Sequence, residues 1–350
     1  VLSELAFSRR ATLCLLPATR YSPVAALAPL LIHISTVIVE RMSLIGPDLH
    51  QSKLIWEEIG ETGPDKLENN MKLLKEWIAC QPHLPKNYDD RMLPVIIRGC
   101  KHNLERAKVK VDTYYSVRGT IPEIFHSRDP LSQEIREASK HMTITPLPTL
   151  TPDGYRVTVH QFTNAPVADF DAASLYKLIF MKADIRMVEE SLIAGDVFVF
   201  DVGHLSLAHI AKLATPLIKS ALYCAQEAYP QRLKEIHMLN APPYVDKVVN
   251  VYKMFMKEKI RNRFQIHTSY KSLYPSIPQS MLPSNFGGDG KSIETLEGEW
   301  KKKLESFADW FTKQESIVTN EKRRLGKTAS NQNTNNIFGC EGAFRKLAID

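Results

Sequence analysis

Cysteine is scarce in this chain. The five residues, Cys14, Cys80, Cys100, Cys224 and Cys340, are scattered through 350 positions, with no C-x-x-C pair and no close Cys/His grouping. That spacing argues against both a zinc site and a disulfide framework, and it fits buried thiols in a reducing compartment. Cys224, with no histidine near it in sequence, reads as a small buried apolar residue and not as a nucleophile. The catalytic signatures G-x-x-x-x-G-K-[ST], G-x-G-x-x-G after a strand, H-E-x-x-H and G-x-S-x-G are missing too, which weakens the enzyme readings. Gly287-Gly288-Asp289-Gly290 follows no apolar strand and reads as a loop. Asp201, His204 and His209 are poorly spaced for shared ligation on a helix, so the histidines read as structural or surface residues. No metal, cofactor or catalytic residue is expected.

Apolar runs of membrane-spanning length are also lacking. The candidate, Val24 to Val39, has 16 residues, is broken by Pro29 and His33, and follows Arg9, Arg10 and Arg20. Residues 1–41 are therefore expected to be an upstream or targeting-like segment, with Met42 as an alternative start. What is present suits a soluble globular protein: 44% hydrophobic and 24% charged residues, with a mild net charge of +6. A charge of that size permits attraction to anionic lipid or nucleic acid, and its distribution decides more than its total.

Along the chain, apolar spacing predicts a helix from Asp65 to Ala79 and another from Asn103 to Val117. Leu131 to His141 is a third candidate. Pro146 and Pro148 follow it, then an Asp153-Gly154 turn and an alternating strand, Arg156 to Phe162. Asp169 to Ala194 reads as a long helix, Val197 to Phe200 as a buried strand, and Leu207 to Tyr229 as a helix kinked at Pro216. Strands alternating with long helices indicate an α/β fold with a mixed, largely parallel sheet. Glu294 to Lys313 could form one charged helix, and Ser330 to Asn336 is polar and of low complexity.

The densest information lies between Tyr229 and His267. A strand, Glu235 to Leu239, stops at Asn240-Ala241-Pro242-Pro243, and a helix is expected from about Tyr244 to Arg263, ahead of a short strand, Phe264 to Thr268. The helix is greasy through Val249, Tyr252, Phe255, Met256 and Ile260, yet it is laced with cations. Lys253, Lys257 and Arg261 fall at i, i+4 and i+8 and read as a solvated stripe. Lys259 and Arg263 form another i, i+4 pair, and Arg232 and Lys234 precede the strand. If the strand end and the helix end lie side by side, these four cations converge, and a phosphorylated lipid headgroup is one natural counter-ion. A solvated face paired with Glu235 and Glu258 is the competing reading. Nucleic acid is disfavoured by the apolar helix and the lack of an aromatic stacking platform. The apolar residues Leu178, Phe198, Phe200, Leu205, Ala221, Cys224, Ala225, Ile236 and Met238 fill a core or line a pocket equally well on periodicity alone.

Several short motifs together resemble the CRAL-TRIO family. Arg98-Gly99-Cys100-Lys101, Leu104-Glu105-Arg106-Ala107-Lys108, Tyr114-Tyr115 and Arg128-Asp129-Pro130 look like its N-terminal helical module. Phe200-Asp201 with Gly203, Tyr229-Pro230, Ile236-His237 with Asn240 and Pro242, Lys259-Ile260, and Leu282-Pro283 with Gly287-Gly288 look like its lipid-binding domain. The chain is most similar to the α-tocopherol transfer protein branch in its insect form, down to the tail Glu341 to Leu347. The resemblance covers about Met42 to Asp350.

It implies a helical module at 42–128, a lipid-binding domain at 129–290 whose mixed sheet and flanking helices enclose a lipid cavity, and a C-terminal helix and polar tail at 291–350. It implies a non-enzymatic intracellular carrier of a tocopherol, retinoid, carotenoid or similar lipid. The nine apolar residues become pocket lining, Val249, Tyr252, Met256 and Ile260 the inner face of a gate helix, and Arg232, Lys234, Lys259 and Arg263 a cleft for phosphatidylinositol bisphosphates. Cytoplasmic residence with transient association to endosomal or plasma membrane follows. Leu205 departs from the large aromatic of the tocopherol carrier, so the lipid is left open. The alternative is a membrane-recruited phosphoinositide-binding scaffold without a transferable ligand.

Overall fold

The sheet is built on three largely buried strands, Tyr155–Phe162, Gly195–Asp201 and Leu233–Leu239, and on one edge strand that tolerates proline. The computed structural model describes residues 44–190 and 192–325 of the protein. The expectations for residues 1–41 and for the tail from Ser330 onward lie outside the described residues. In chain order the elements are α1 (Leu49–Ile59), α2 (Pro64–Cys80), α3 (Met92–Gly99), α4 (Leu104–Thr120), α5 (Gln133–His141), β1 (Met142–Leu150), β2 (Tyr155–Phe162), α6 (Ala172–Glu189), β3 (Gly195–Asp201), α7 (Leu207–Leu213), α8 (Pro216–Tyr223), β4 (Leu233–Leu239), α9 (Val245–Lys253), α10 (Glu258–Arg261), β5 (Phe264–His267), α11 (Ile293–Ser306) and α12 (Ala308–Glu315). The strands lie in sequence order, β1-β2-β3-β4-β5; β1 runs antiparallel to β2 and the others are parallel. The fold is thus the mixed, largely parallel α/β type expected.

Side-chain oxygens fix where the helices start. Asn103 accepts the Arg106 N–H at 2.9 Å, Asp171 accepts the Ser174 N–H at 2.8 Å, and Asp48 and Gln51 form a reciprocal capping box. Several boundaries differ from the sequence reading. Pro146 and Pro148 hid a strand, β1, which is possible because β1 is an edge and its register shifts between Pro146 and Leu150. The expected helix over Asp169 to Ala194 is shorter, starting only after the Asp171 cap. Pro216 opens a new helix and does not kink an old one; α8 then loosens into a π-helical turn, Cys224–Ala228. The helix expected over Glu294 to Lys313 is two helices, parted at Phe307.

The helical N-terminal module packs on the sheet domain through a close approach and a buried charge. A Cβ on Gly99 would sit 2.3 Å from the Pro230 carbonyl oxygen, so only glycine lets α3 come that near. Beside it, Arg98 grips the buried Glu61 carboxylate with two hydrogen bonds of 2.8 and 2.7 Å. Deeper in, the Asp184 carboxylate on α6 is fully buried and accepts four hydrogen bonds. Tyr114 and Tyr229 reach Oδ1 at 2.9 and 2.7 Å, while Arg118 and Arg128 reach Oδ2 at 3.0 and 2.5 Å. Arg118 also donates to the Gln314 carbonyl on α12 at 3.2 Å. Burial alone pushes the Asp184 pKa up, but the two guanidiniums and the Tyr229 hydroxyl outweigh it and hold the carboxyl below its usual range.

Replacing Asp184 by asparagine leaves two buried guanidiniums without a counter-charge, and removing one partner of such a set costs about 3–5 kcal/mol. The expected result is a thermal midpoint lowered by several degrees, with earlier proteolysis between α4 and α6. A midpoint within a degree of the unmodified protein would show that Asp184 is not the joint between these elements.

Candidate functional site

Two rungs of side chains cross one face of the sheet. Register pairs Pro146, Thr158, Phe198, Ile236 and Phe264 across the five strands, and Ile144, His160, Phe200 and Met238 across four of them. Because side chains on a strand alternate faces, the members of both rungs point the same way. All of them line a single cavity of about 1010 Å³, at the upper end of the usual range for ligand pockets. The remaining walls come from Tyr176, Ile179, Phe180 and Ala183 on α6, Leu205 in the loop after β3, and Ile218, Ala221, Leu222 and Ala225 on α8 and its π turn.

Of the nine residues proposed as pocket or core, seven lie on this wall: Phe198, Phe200, Leu205, Ala221, Ala225, Ile236 and Met238. Leu178 and Cys224 do not. Both are fully buried in the packed core, and burial pushes the Cys224 thiol pKa well up. They sit on helices that do line the cavity, but on faces turned into the protein.

The lid differs from the sequence reading. The single helix expected from Tyr244 to Arg263 is two, α9 and α10, parted at Met254 to Lys257. Gln226, on the π turn, occupies the break. Its side-chain amide donates to the Phe255 carbonyl at 3.0 Å and accepts the Lys257 N–H at 2.8 Å. The break dissolves the stripe of Lys253, Lys257 and Arg261. Lys253 lies over the Phe264 ring at 5.3 Å, and Lys257 pairs with Glu227 at 2.6 Å. Val249 and Tyr252 from α9, Met256 from the break and Ile260 from α10 all face the cavity. At the start of the lid, the Tyr244 hydroxyl donates to the Leu205 carbonyl at 2.6 Å.

Arg232, Lys234, Lys259 and Arg263 border the same cavity, but their situations differ. Arg232 is half-buried and donates to the backbone carbonyls of Arg98 (3.1 Å) and Ile193; burial lowers its pKa. Lys234 sits 5.1 Å above the Tyr155 ring and shares Glu58 with Lys101, at 3.1 Å each. Burial pushes Glu58 up, but those two lysines prevail and its pKa falls. Lys259 is exposed, and among the described residues neither it nor Arg263 has a side-chain ion pair. The mouth also carries Arg106 and Lys110, which the sequence reading did not single out. The Lys110 amine donates to the Gln226 carbonyl at 2.7 Å, and burial pulls its pKa down to about 8.

Thr158, His160 and Tyr176 on the wall were missed as well. The signal for the first two was their alternation on β2, in step with Phe198 and Phe200 on β3. His160 stacks on Phe200 with centroids 4.6 Å apart and meets Phe198 edge-on at 5.2 Å. The Asp201 and His209 pair has structural work: Asp201 accepts from Asn240 at 2.9 Å, and His209 shares a capping box with Ser206. Among the described residues no group of three or more His, Cys, Asp or Glu is placed to hold a metal ion. No described helix is long and apolar enough to cross a membrane.

Residues 140–288 match the sequence model of the CRAL/TRIO domain, and residues 63–135 that of the Pinta-like UBA domain. The human protein named Alpha-tocopherol transfer protein-like is 27% identical over 261 residues, which span 74% of this chain and 75% of that one. Human Clavesin-2 is 24% identical over 229 residues, 64% of this chain and 70% of its own. Among solved structures, the crystal structure of Sfh5 is similar with a TM-score of 0.41 and 15% identity, covering 72% of this chain and 92% of that one.

Burial, with the Lys182 ammonium nearby, pulls the His160 pKa down to about 3. The unfolded chain takes up a proton there near pH 6.5, while the folded protein does not until about pH 3. His160 therefore favours folding fully above pH 6.5, and its contribution falls by about 1.4 kcal/mol for each unit below that. Between pH 7 and pH 5 the unmodified protein is expected to lose about 2 kcal/mol more stability than His160→Phe, read as a difference in thermal midpoint shift. Parallel losses in the two proteins would mean that His160 is already charged in the folded state.

Proposed function

The chain carries a CRAL/TRIO domain over residues 140–288, and from that premise we propose that it is a non-enzymatic carrier, which buries one hydrophobic lipid and exchanges it at membranes bearing phosphatidylinositol bisphosphate. One observation carries this reading. A cavity of about 1010 Å³ with a mainly apolar wall opens beneath a two-piece lid, and its mouth is rimmed by cations. Protein interiors hold few voids larger than a water molecule. Because this cavity opens to solvent, water that fills it lies against its apolar rungs, and a lipid that displaces that water takes apolar surface out of contact with solvent. A relative named as a transfer protein supports delivery as well as storage.

The cationic rim supplies the docking step. Arg232 is committed to backbone carbonyls and Lys234 to a shared carboxylate, so they form the fixed side of the cleft. Lys259 and Arg263, on and just after α10, are the cations a headgroup meets without displacing a carboxylate. Their place on the lid couples headgroup contact to lid movement, since a ligand that binds an open lid better shifts it open. Phosphoinositides line cytoplasmic leaflets, so the carrier works in the cytoplasm with transient visits to endosomal or plasma membrane. A scaffold with a filled core is poorly served by a cavity this large.

Mass spectrometry of lipid extracted from purified protein is expected to show about one neutral lipid per chain. No lipid, and no uptake from a panel of tocopherol, retinoid, carotenoid and sterol, would sink the carrier reading. Lys259→Ala combined with Arg263→Ala is expected to weaken flotation with phosphatidylinositol bisphosphate vesicles by roughly tenfold or more, at ~1 kcal/mol per cation, without changing lipid loading. Unaltered flotation would remove the headgroup assignment and leave the cavity reading standing.

A further inference from the structure

An acidic side chain stands among the cations of the cleft. Glu58 lies near the C-terminal end of α1, ahead of the CRAL/TRIO domain, yet it borders the same cavity mouth as Arg232, Lys234, Lys259 and Arg263. Its Oε1 accepts from the Lys234 amine and from the Lys101 amine, at 3.1 Å each. Lys234 in turn lies over the Tyr155 ring, whose pKa is raised by burial and by Asp153, Glu58 and Glu235, with Arg263 opposing them. Glu58 therefore occupies ground that a docked phosphate would take.

The fold puts it there through several separate ties. Ile55 and Ile59 of α1 are buried with Ala194 in a small apolar cluster of their own, packed against Tyr155. The Gln51 amide donates to the Thr151 carbonyl at 2.8 Å, and the Ile45 N–H, just ahead of the helix, donates to the Pro148 carbonyl at 2.8 Å. Past the helix end, Glu61 pairs with Arg98 at 2.7 Å and with His102 at 2.9 Å. The last of these contacts also braces Lys101. Lys101 and His102 have φ of 53° and 57°, a left-handed conformation that residues other than glycine adopt at a cost. His102, clamped between Glu61 and Asn70 at 2.9 Å from each, holds that turn in place. Backbone kept in so costly a shape is common at ligand clamps, and here it delivers Lys101 to Glu58.

A tethered carboxylate in a cationic cleft competes with whatever anion arrives, at a local concentration that the tether keeps high. A singly charged headgroup only exchanges one anion for another. A phosphomonoester brings a charge of about −1.5 to −2 and three acceptor oxygens, so it can meet both lysines and still recruit Lys259 and Arg263. Displacement itself is easy, because the Glu58 side chain is 34% exposed and can swing into water. Resting on the docking reading proposed above, we infer that Glu58 sets the charge threshold of the cleft: it turns away singly charged lipids such as phosphatidylserine and yields to phosphomonoester headgroups. Specificity then comes from a built-in rival as much as from the cations, and Lys101 joins the headgroup contacts.

Flotation with phosphatidylcholine vesicles that carry either phosphatidylserine or phosphatidylinositol bisphosphate, matched for total charge, tests this. The unmodified protein is expected to prefer the bisphosphate vesicles. Glu58→Gln is expected to bind the phosphatidylserine vesicles roughly fivefold or more tighter, with a smaller gain on bisphosphate. The gain is expected to vanish when Lys101→Ala and Lys234→Ala are added. Glu57→Gln removes the same charge from an exposed neighbour that has no ion pair among the described residues, and it is expected to leave both affinities unchanged. Glu58→Ala is a second variant; unchanged circular dichroism qualifies each, and either one suffices. A phosphatidylserine gain that is absent, equal on both vesicles, matched by Glu57→Gln or kept without the two lysines would overturn the role of Glu58 while the docking reading stands. No preference of the unmodified protein for bisphosphate vesicles would overturn the docking reading and this inference with it.

Discussion

A single buried carboxylate holds the back of this molecule together. Asp184 sits on α6, the helix that contributes one wall of the cavity, and its four donors arrive from α4, from the segment after it, and from the end of the π turn. A charge buried so completely is tolerated only when every lone pair is met. Each donor is therefore fixed by its own need for the carboxylate, and α6 cannot shift without uncovering a charge. The C-terminal part is drawn into the same arrangement, because Arg118 extends to the Gln314 carbonyl and the Trp300 indole donates to the Pro146 carbonyl at 3.0 Å. A second buried set works at the sheet edge, where Arg156 binds Glu190 at 2.6 Å and three backbone carbonyls, two of them on β1.

That rigidity is what allows a cavity to exist. The walls of an apolar void relax only in part, and they relax least where they are held by bonds that movement would break. The sheet floor and α6 meet that condition through ladder hydrogen bonds and buried charges. The lid does not: α9 and α10 have no buried ion pair among the described residues, and exposed Met254 lies at their junction. The protein thus has a stiffly held cup and a more lightly held cover, the arrangement that the proposed carrier reading calls for.

Much of this was legible in the sequence, for reasons that differ between parts. The strands β2 to β5 were readable because alternation and apolar runs are local signals. The motifs that carried the family resemblance were readable as words, and the structure gives some of them physical meaning: Tyr114, Arg128 and Tyr229 are three of the four donors to Asp184, and Gly99 is the glycine pressed against Pro230. Asp184 itself went unnoticed, because one acid on an amphipathic helix has no local mark of burial. Strand β1 was hidden because proline's usual meaning reverses at a sheet edge. The break in the lid could not be read, since the glutamine that stabilises it lies about thirty positions earlier. Leu178 and Cys224 were grouped with the wall because periodicity identifies a buried face without saying what fills the space beyond it.

On the proposed carrier reading, Gln226 also carries part of the cost of lifting the cover. Freeing α10 from the π turn gives up the two hydrogen bonds of its side chain to the break, and each contributes about 0.5–1.5 kcal/mol net. The Lys257–Glu227 pair and the apolar contacts of Val249, Tyr252, Met256 and Ile260 go with them, so a lifted form lies higher than those two bonds alone would set it. Tyr244 meanwhile keeps the start of α9 tied to the Leu205 carbonyl. On that reading a surface raises the lifted population only by as much as it binds that form better.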